Sequence, residues 1–230
     1  MKFGIIVFPG TWSDKDCKYA VSDNLGQKSK YIWHKETDLS GIDSIIIPGG
    51  FSFGDHLRVG ALAQVSPIMN SIREYVKKGF PVIGICNGFQ ILCEAGILPG
   101  ALIRNKNLQF KCKWTNLQVS NNNTIFSSEI NSKKILKIPI SHGEGNFQVD
   151  SKTLDDIENS GKVVFRYCDS NGTIDTESNP NGSINNIAGI MNKQGNVLGM
   201  MPHPERACNG NIGSNDGNLI FQSMINYVIK

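Results

Sequence analysis

Pro81-Val82-Ile83-Gly84-Ile85-Cys86-Asn87-Gly88-Phe89-Gln90-Ile91-Leu92-Cys93 is the stretch on which the fold turns. Its first five residues open on proline and contain no polar side chain, as expected of a strand buried on both faces. Beyond them, Phe89, Leu92, Cys93 and Ala95 fall at helical spacing. Gly84-Ile85-Cys86-Asn87-Gly88 joins the two segments and is the sulfur counterpart of the G-x-S-x-G nucleophile elbow. A sharp strand-to-helix turn crowds the backbone, which calls for the glycines. The turn makes the sulfur project from the sheet and sets it at a helix N-terminus, where the dipole favours a thiolate. A buried structural cysteine flanked by packing glycines accounts for this pentapeptide equally well.

Upstream, strand and helix signals alternate. Phe3–Phe8 is an apolar run ended by Pro9-Gly10, and Ser13-Asp14-Lys15-Asp16 reads as a capping box. Cys17, Ala20, Val21 and Leu25 follow at helical spacing, with Gly26 as the stop. Tyr31-Ile32-Trp33 and Ile45-Ile46-Ile47 read as a second and a third strand, the latter ended by Pro48-Gly49-Gly50. Ser66-Pro67 opens a helix with Ile68, Ile72 and Val76 on one face and Gly79 at its close. Apolar strands separated by helices imply a parallel sheet covered on both faces. Downstream, strands at about 112–119, 134–140, 162–167, 186–191 and 196–201 are expected, joined by Asn/Gly/Ser-rich turns. Asn192-Lys193-Gln194-Gly195 reads as a hairpin turn, and a helix from Asp216 closes the chain. One α/β domain over residues 1–230 is the expectation, mostly parallel, with antiparallel strands in its second half.

Composition agrees. Of 230 residues, 40% are apolar and 19% charged, with a net charge of +3, which is globular and gives no case for nucleic acid or a membrane surface. No apolar run reaches the ~18 residues of a membrane span, and the N-terminal apolar run is too short for a signal peptide. The expectation is a soluble, cytoplasmic protein. The six cysteines show no C-x-x-C and no zinc spacing, so they are expected to be free thiols. The sequons at Asn122, Asn171 and Asn181 are then incidental.

Two further segments carry chemistry. In Met201-Pro202-His203-Pro204-Glu205-Arg206, prolines hold an extended backbone in which His203 and Glu205 share a face. The carboxylate can then accept the imidazole N–H and raise its basicity. Alone this segment reads more readily as a surface loop; paired with a cysteine elbow it supplies a base and its orienter. Pro48-Gly49-Gly50-Phe51-Ser52 follows a strand, and its Gly-Gly turn can aim backbone N–H groups, together with that of Asn87, at an oxyanion, although Pro-Gly-Gly is more often a plain turn. The nearest approach to a phosphate loop, Gly49 to Gly54, runs on into Asp55-His56 and lacks the lysine. G-x-G-x-x-G, H-E-x-x-H and EF-hand loops are absent, so no metal site is expected.

Read together, Pro48-Gly49-Gly50, Gly84-Ile85-Cys86-Asn87-Gly88-Phe89-Gln90 and His203-Pro204-Glu205 resemble the class I (triad) glutamine amidotransferases. Gly49–Asp55 with Leu57-Arg58, Pro139–Gly145, Asn179–Ser183 and Gly199–Arg206 are similar to the purine-biosynthetic branch of that family, and the likeness runs end to end. Trp12-Ser13, His56 and Asn146 depart from that branch and leave the triad untouched. The resemblance implies an amidotransferase-like α/β fold in which Cys86 attacks the side-chain amide of glutamine, His203 serves as acid and base, and Glu205 orients it. Gly50 and Asn87 would supply the oxyanion hole, and Gln90, His142 and Gly143 would help position glutamine. No cofactor is implied in this chain. Ammonia would pass to an ATP- and magnesium-using synthetase subunit, with a small accessory subunit in the same complex, to make formylglycinamidine ribonucleotide. A glutaminase serving another acceptor, a cysteine-elbow hydrolase and a catalytically silent binding module are the alternatives.

Overall fold

The computed structural model describes residues 1–229. The first half lays down β1 (Lys2–Val7), α1 (Asp14–Lys18), β2 (Lys28–Trp33), β3 (Ser44–Ile47), α2 (Pro67–Lys77), β4 (Val82–Ile85) and α3 (Asn87–Glu94). The second half adds β5 (Ala101–Ile103), β6 (Lys111–Val119), β7 (Ile135–His142), β8 (Asn146–Gln148), α4 (Ser151–Asn159), β9 (Val163–Cys168), β10 (Ile187–Met191), β11 (Val197–Met200) and α5 (Gly217–Ile229). Nine strands form one sheet in the order β2-β1-β3-β4-β11-β10-β9-β6-β7, and β5 pairs with β8 in a separate ribbon.

The expected division of the chain is present. β2, β1, β3, β4 and β11 run parallel, whereas β10, β9, β6 and β7 are joined by antiparallel ladders. β11 is the seam, parallel to β4 on one side and antiparallel to β10 on the other. Asn192–Gly195 does turn the β10–β11 hairpin: Gly195 N–H donates to the Asn192 carbonyl, and Asn192 Oδ1 also receives the N–H groups of Gly195, Asn196 and Val197. The antiparallel half curls over the carboxyl edge of the parallel half. Although three strands separate β7 from β11 in the sheet, His203 N–H donates to the Pro139 carbonyl at 2.8 Å.

β3 and β4 are buried at every residue, as their apolar runs require. β2 is an edge strand and mostly exposed, despite Tyr31-Ile32-Trp33. The first helix departs from expectation. Ser13 makes no side-chain cap, and α1 passes after five residues into a π-helical stretch over Tyr19–Asn24. Ser13 is fully buried with its Oγ against Gly49, so the hydroxyl that would cap the helix faces the interior of the protein. α4, capped by Asp150 through Thr153 N–H, and the β5–β8 ribbon have no counterpart in the sequence reading.

Candidate active site

Three adjacent strands, β3, β4 and β11, end side by side, and each is followed by one of the three chemical segments. Ile47 pairs with Gly84, and Ile85 with Met200. The glycine turn, the cysteine elbow and the His-Pro-Glu segment therefore leave the sheet at one edge.

Cys86 is the residue on which the elbow turns. Its φ of 52° and ψ of −105° lie outside the regions open to ordinary L-residues, strain of the kind stored at functional sites. Neighbouring glycines make that turn possible. A Cβ on Gly88 would lie 2.0 Å from the Ile47 carbonyl oxygen, so only glycine lets α3 settle this close to β3. One on Gly84 would lie 2.7 Å from the Gly88 backbone, where the chain folds back on itself. At the far side of the site, a Cβ on Gly49 would lie 2.7 Å from His203 Cε1, 2.9 Å from Ser13 Oγ and 3.4 Å from Cys86 Cβ.

His203 and Glu205 are both buried, and His203 Nδ1–H donates to Glu205 Oε1 at 2.6 Å. That bond fixes the tautomer and leaves Nε2 buried and, among the described residues, unpartnered on the side of the sulfur. Burial alone would push the imidazole down; the Glu205 carboxylate and the adjacent Cys86 sulfur outweigh it and raise it to about 10. The Cys86 thiol donates to the Ser141 carbonyl at 3.6 Å. Arg206, next along, is held by Asp16 at 3.1 Å.

Gly50 and Asn87 adjoin the same sulfur. Neither backbone N–H has an acceptor among the described residues, as an oxyanion hole requires. The side chain of Asn87 is committed elsewhere: its Oδ1 receives Ser52 N–H at 3.2 Å and its amide donates to Gln90 Oε1 at 3.1 Å. Gln90 in turn donates to the Glu144 carbonyl at 2.6 Å. Both ends of the Gln90 amide are thus engaged, one within α3 and the other with the loop after β7.

That loop forms a wall of a cavity of about 170 Å³ lined by Gly50, Asp55, Cys86, Gln90, His142 and Gly143 among others. A neighbouring hollow of about 200 Å³ reaches Cys86 and His203 from the side of Trp12, Phe51 and Phe110. Larger hollows, about 560 Å³ beside Tyr75 and about 1000 Å³ beside Leu98, include no histidine.

His142 is 3% exposed, and its Nε2 meets Asn181 Nδ2 at 3.1 Å. Asn181 Oδ1 receives both the N–H and the hydroxyl of Ser183, so the amide can only present its NH₂ to the ring. His142 Nε2 is then the acceptor and Nδ1 carries the proton. Burial, reinforced by His203, lowers His142 to about 3, so the ring is neutral. Asn105 completes the frame: its amide donates to the His142 carbonyl and its Oδ1 receives Gly145 N–H. Asn105 carries no signal in the sequence, and Asn181 reads there as an incidental sequon within a family-like segment. No spacing rule singles out a lone buried asparagine.

Among the described residues, no group of three or more His, Cys, Asp or Glu is placed to hold a metal ion, and no helix is long and apolar enough to cross a membrane. The disposition of a buried imidazole–carboxylate pair, a strained cysteine and two open N–H groups is suited to acyl transfer through sulfur.

The family model for the CobB/CobQ-like glutamine amidotransferase domain matches residues 1–228 of the chain. The phosphoribosylformylglycinamidine synthase subunit PurQ of Moorella thermoacetica is 51% identical over 227 residues, covering 99% of this chain and 96% of the relative. The subunit of the same name in Methanosarcina barkeri is 47% identical over 230 residues, covering 100% and 99%. Among solved structures, PurLQS from Thermotoga maritima superposes with a TM-score of 0.87 at 40% identity, covering 99% of this chain and 98% of that one. A glutamine amidotransferase from Thermotoga maritima shares the fold, with a TM-score of 0.61 at 16% identity over 100% and 98% of the two chains.

Proposed function

The chain belongs to the CobB/CobQ-like glutamine amidotransferase family, and from that premise we infer that it is the glutaminase subunit of a phosphoribosylformylglycinamidine synthase. The observation that carries the chemistry is the strained Cys86 with the buried His203–Glu205 pair just beyond the end of the neighbouring strand. The choice of acceptor rests on near-50% identity to the PurQ subunits over essentially the whole chain.

The reaction proceeds in two halves. The Cys86 thiolate attacks the side-chain amide carbon of glutamine, and the N–H groups of Gly50 and Asn87 hold the resulting oxyanion. Each such donor is worth ~2.7–4 kcal/mol in the transition state. The C–N bond breaks as His203 delivers its Nε2 proton to the leaving nitrogen, giving ammonia and a glutamyl thioester. Its raised pKa suits this role, because the ring is an imidazolium while the thiolate is present. Neutral His203 then takes a proton from water, hydroxide adds to the thioester carbon, and the C–S bond breaks to release glutamate and thiolate. Glu205 holds the ring in one orientation through both halves and fixes the tautomer whenever the ring is neutral.

The ammonia passes to a synthetase subunit, where ATP and magnesium are used; this chain needs no cofactor of its own for the glutaminase half-reaction. The synthase named in the relatives supports a synthetase partner, as does the Thermotoga maritima structure, which is that of PurLQS. A small accessory subunit is part of the same proposal. The test is reconstitution: with its synthetase subunit, the protein should form formylglycinamidine ribonucleotide from glutamine, ATP and the formylglycinamide substrate, with one glutamate released per amidine. Glutamate release without amidine, whatever synthetase is supplied, would overturn the assignment of the acceptor.

A further inference from the structure

The loop after β3 is strained beyond the needs of a connection. Phe53, Asp55 and Leu57 have φ of 55°, 56° and 70°, with Gly54 at 68° among them. Non-glycine residues are disfavoured in that region, and such strain persists where something depends on the position it enforces. Here the turn sets Asp55 in the wall of the Cys86 cavity.

Asp55 Oδ1 in that wall is out of reach of solvent and has no hydrogen-bond partner among the described residues. Nor does any cation among them answer it. The basic residue beyond the turn, Arg58, is paired with Glu94 at 2.6 Å. The neighbour that bears on Asp55 is another acid, Glu144, which adds to the effect of burial in raising the carboxyl to about 6. Glu144 has only a 3.7 Å contact with the exposed Arg104. The same cavity is lined by His142, whose Nδ1 carries the proton and is buried without an acceptor. A carboxylate lacking a cation and an N–H lacking an acceptor thus share one small cavity with the nucleophile. Such a wall suits a zwitterion: an ammonium group brings three donors, and a carboxylate brings acceptors.

We propose that Asp55, with Glu144 beside it, binds the α-ammonium group of the substrate amino acid, so that the site selects an α-amino acid and not any primary amide. This rests on the glutaminase reading and adds to it a residue that sets substrate choice. Asp55 acts at the end of the substrate remote from the bond being broken. Its loss therefore weakens binding and discrimination while leaving the thiolate and its base in place.

The test compares L-glutamine with 4-carbamoylbutanoate, the same molecule without its amino group, on the assembled synthetase complex. The unmodified complex should prefer L-glutamine strongly in kcat/KM. Asp55→Asn should cut kcat/KM for L-glutamine by about tenfold or more, mainly through KM, and change that for 4-carbamoylbutanoate far less. Glu144→Gln should shift the same ratio in the same direction by a smaller factor, and it reads the proposal independently should Asp55→Asn fail to fold. The ammonia-dependent reaction reports whether each complex has assembled. An unchanged preference in these variants, or an equal loss on the two substrates with the ammonia reaction intact, would overturn the proposal. Failure of the unmodified complex to release glutamate from L-glutamine would instead strike the glutaminase reading beneath it.

Discussion

The backbone N–H of Cys86 donates to the carbonyl of Met200 at 2.7 Å, so the nucleophile is bonded to the strand that leads to the base. This bond continues the β4–β11 ladder through Gly84–Gly199 and Ile85–Met200. The relative position of sulfur and imidazole is thereby set by strand register, which is stiffer than any loop.

Cys86→Ser tests the nucleophile. It should lower glutamine-dependent amidine formation by about a thousandfold or more, since the alkoxide of serine is far less accessible than a thiolate. The reaction with added ammonia should survive nearly intact. Equal loss of both would assign Cys86 to structure.

A glutamine-like alkylating reagent should label Cys86 and spare the other buried thiols. Burial pushes Cys93, Cys17 and Cys208 up, away from the reactive thiolate form. Peptide mass spectrometry after partial inactivation reads the outcome, and modification dominated by Cys93 would refute the elbow.

His203 should remain an imidazolium through neutral pH and titrate near 10, as followed by imidazole nitrogen NMR. Glu205→Gln removes a carboxylate that raises the ring, so its titration should move down toward or below the ordinary histidine range. The sign for stability follows from a folded pKa above the unfolded 6.5. The contribution of the pair is complete below about 6.5 and is lost as pH climbs toward 10. Unfolding measured at pH 6 should therefore separate wild type from Glu205→Gln by about 1.5–3 kcal/mol, with the gap closing by pH 10.

Gly49→Ala and Gly88→Ala should fail differently. The added methyl at Gly88 meets the Ile47 carbonyl at 2.0 Å, within packed structure, and should cost on the order of 1–3 kcal/mol or prevent folding. At Gly49 it meets His203 Cε1 at 2.7 Å and displaces the base. That variant should lose glutaminase turnover out of proportion to its change in Tm.

Asn181→Asp exchanges the donor facing His142 Nε2 for an acceptor and so reverses the ring's tautomer. KM for glutamine should rise more than kcat falls, and the His142 nitrogen spectrum should report the exchange. Asn181→Leu strips the contacts to His142, Gly145, Tyr167 and Ser183 and should cost roughly 1–3 kcal/mol of stability.

Signals confined to a few neighbouring residues are legible in the sequence alone. Apolar runs locate β3 and β4, the glycines around Cys86 announce the elbow, and the His203–Glu205 spacing announces the pair, although Pro204–Arg206 forms a 3-10 turn and not the extended run expected there. The resemblance of the three segments taken together names their roles. What stays hidden depends on distant partners. Ser13 reads locally as a cap, yet the turn at Gly49 draws its hydroxyl inward. Asn105 and Asn181 acquire their roles only when the curl of the antiparallel half brings the loop after β7 to Cys86. Asp55 is visible only as the end of a glycine-containing segment, since backbone strain has no signature in residue identity.

The β4–β11 pairing has a consequence for synthesis. The nucleophile and its base lie far apart along the chain, and among the described residues β11 is the last strand in chain order, 111 residues beyond β4 when counted from Cys86 to Val197. Non-local pairings of this kind form late, because the intervening chain must first be closed into a loop. A polypeptide still emerging from the ribosome can carry Cys86, yet it lacks both the Met200 carbonyl that holds the elbow and the imidazole that turnover needs. Copies that stop short of His203 therefore have a nucleophile without its base and cannot complete the half-reaction.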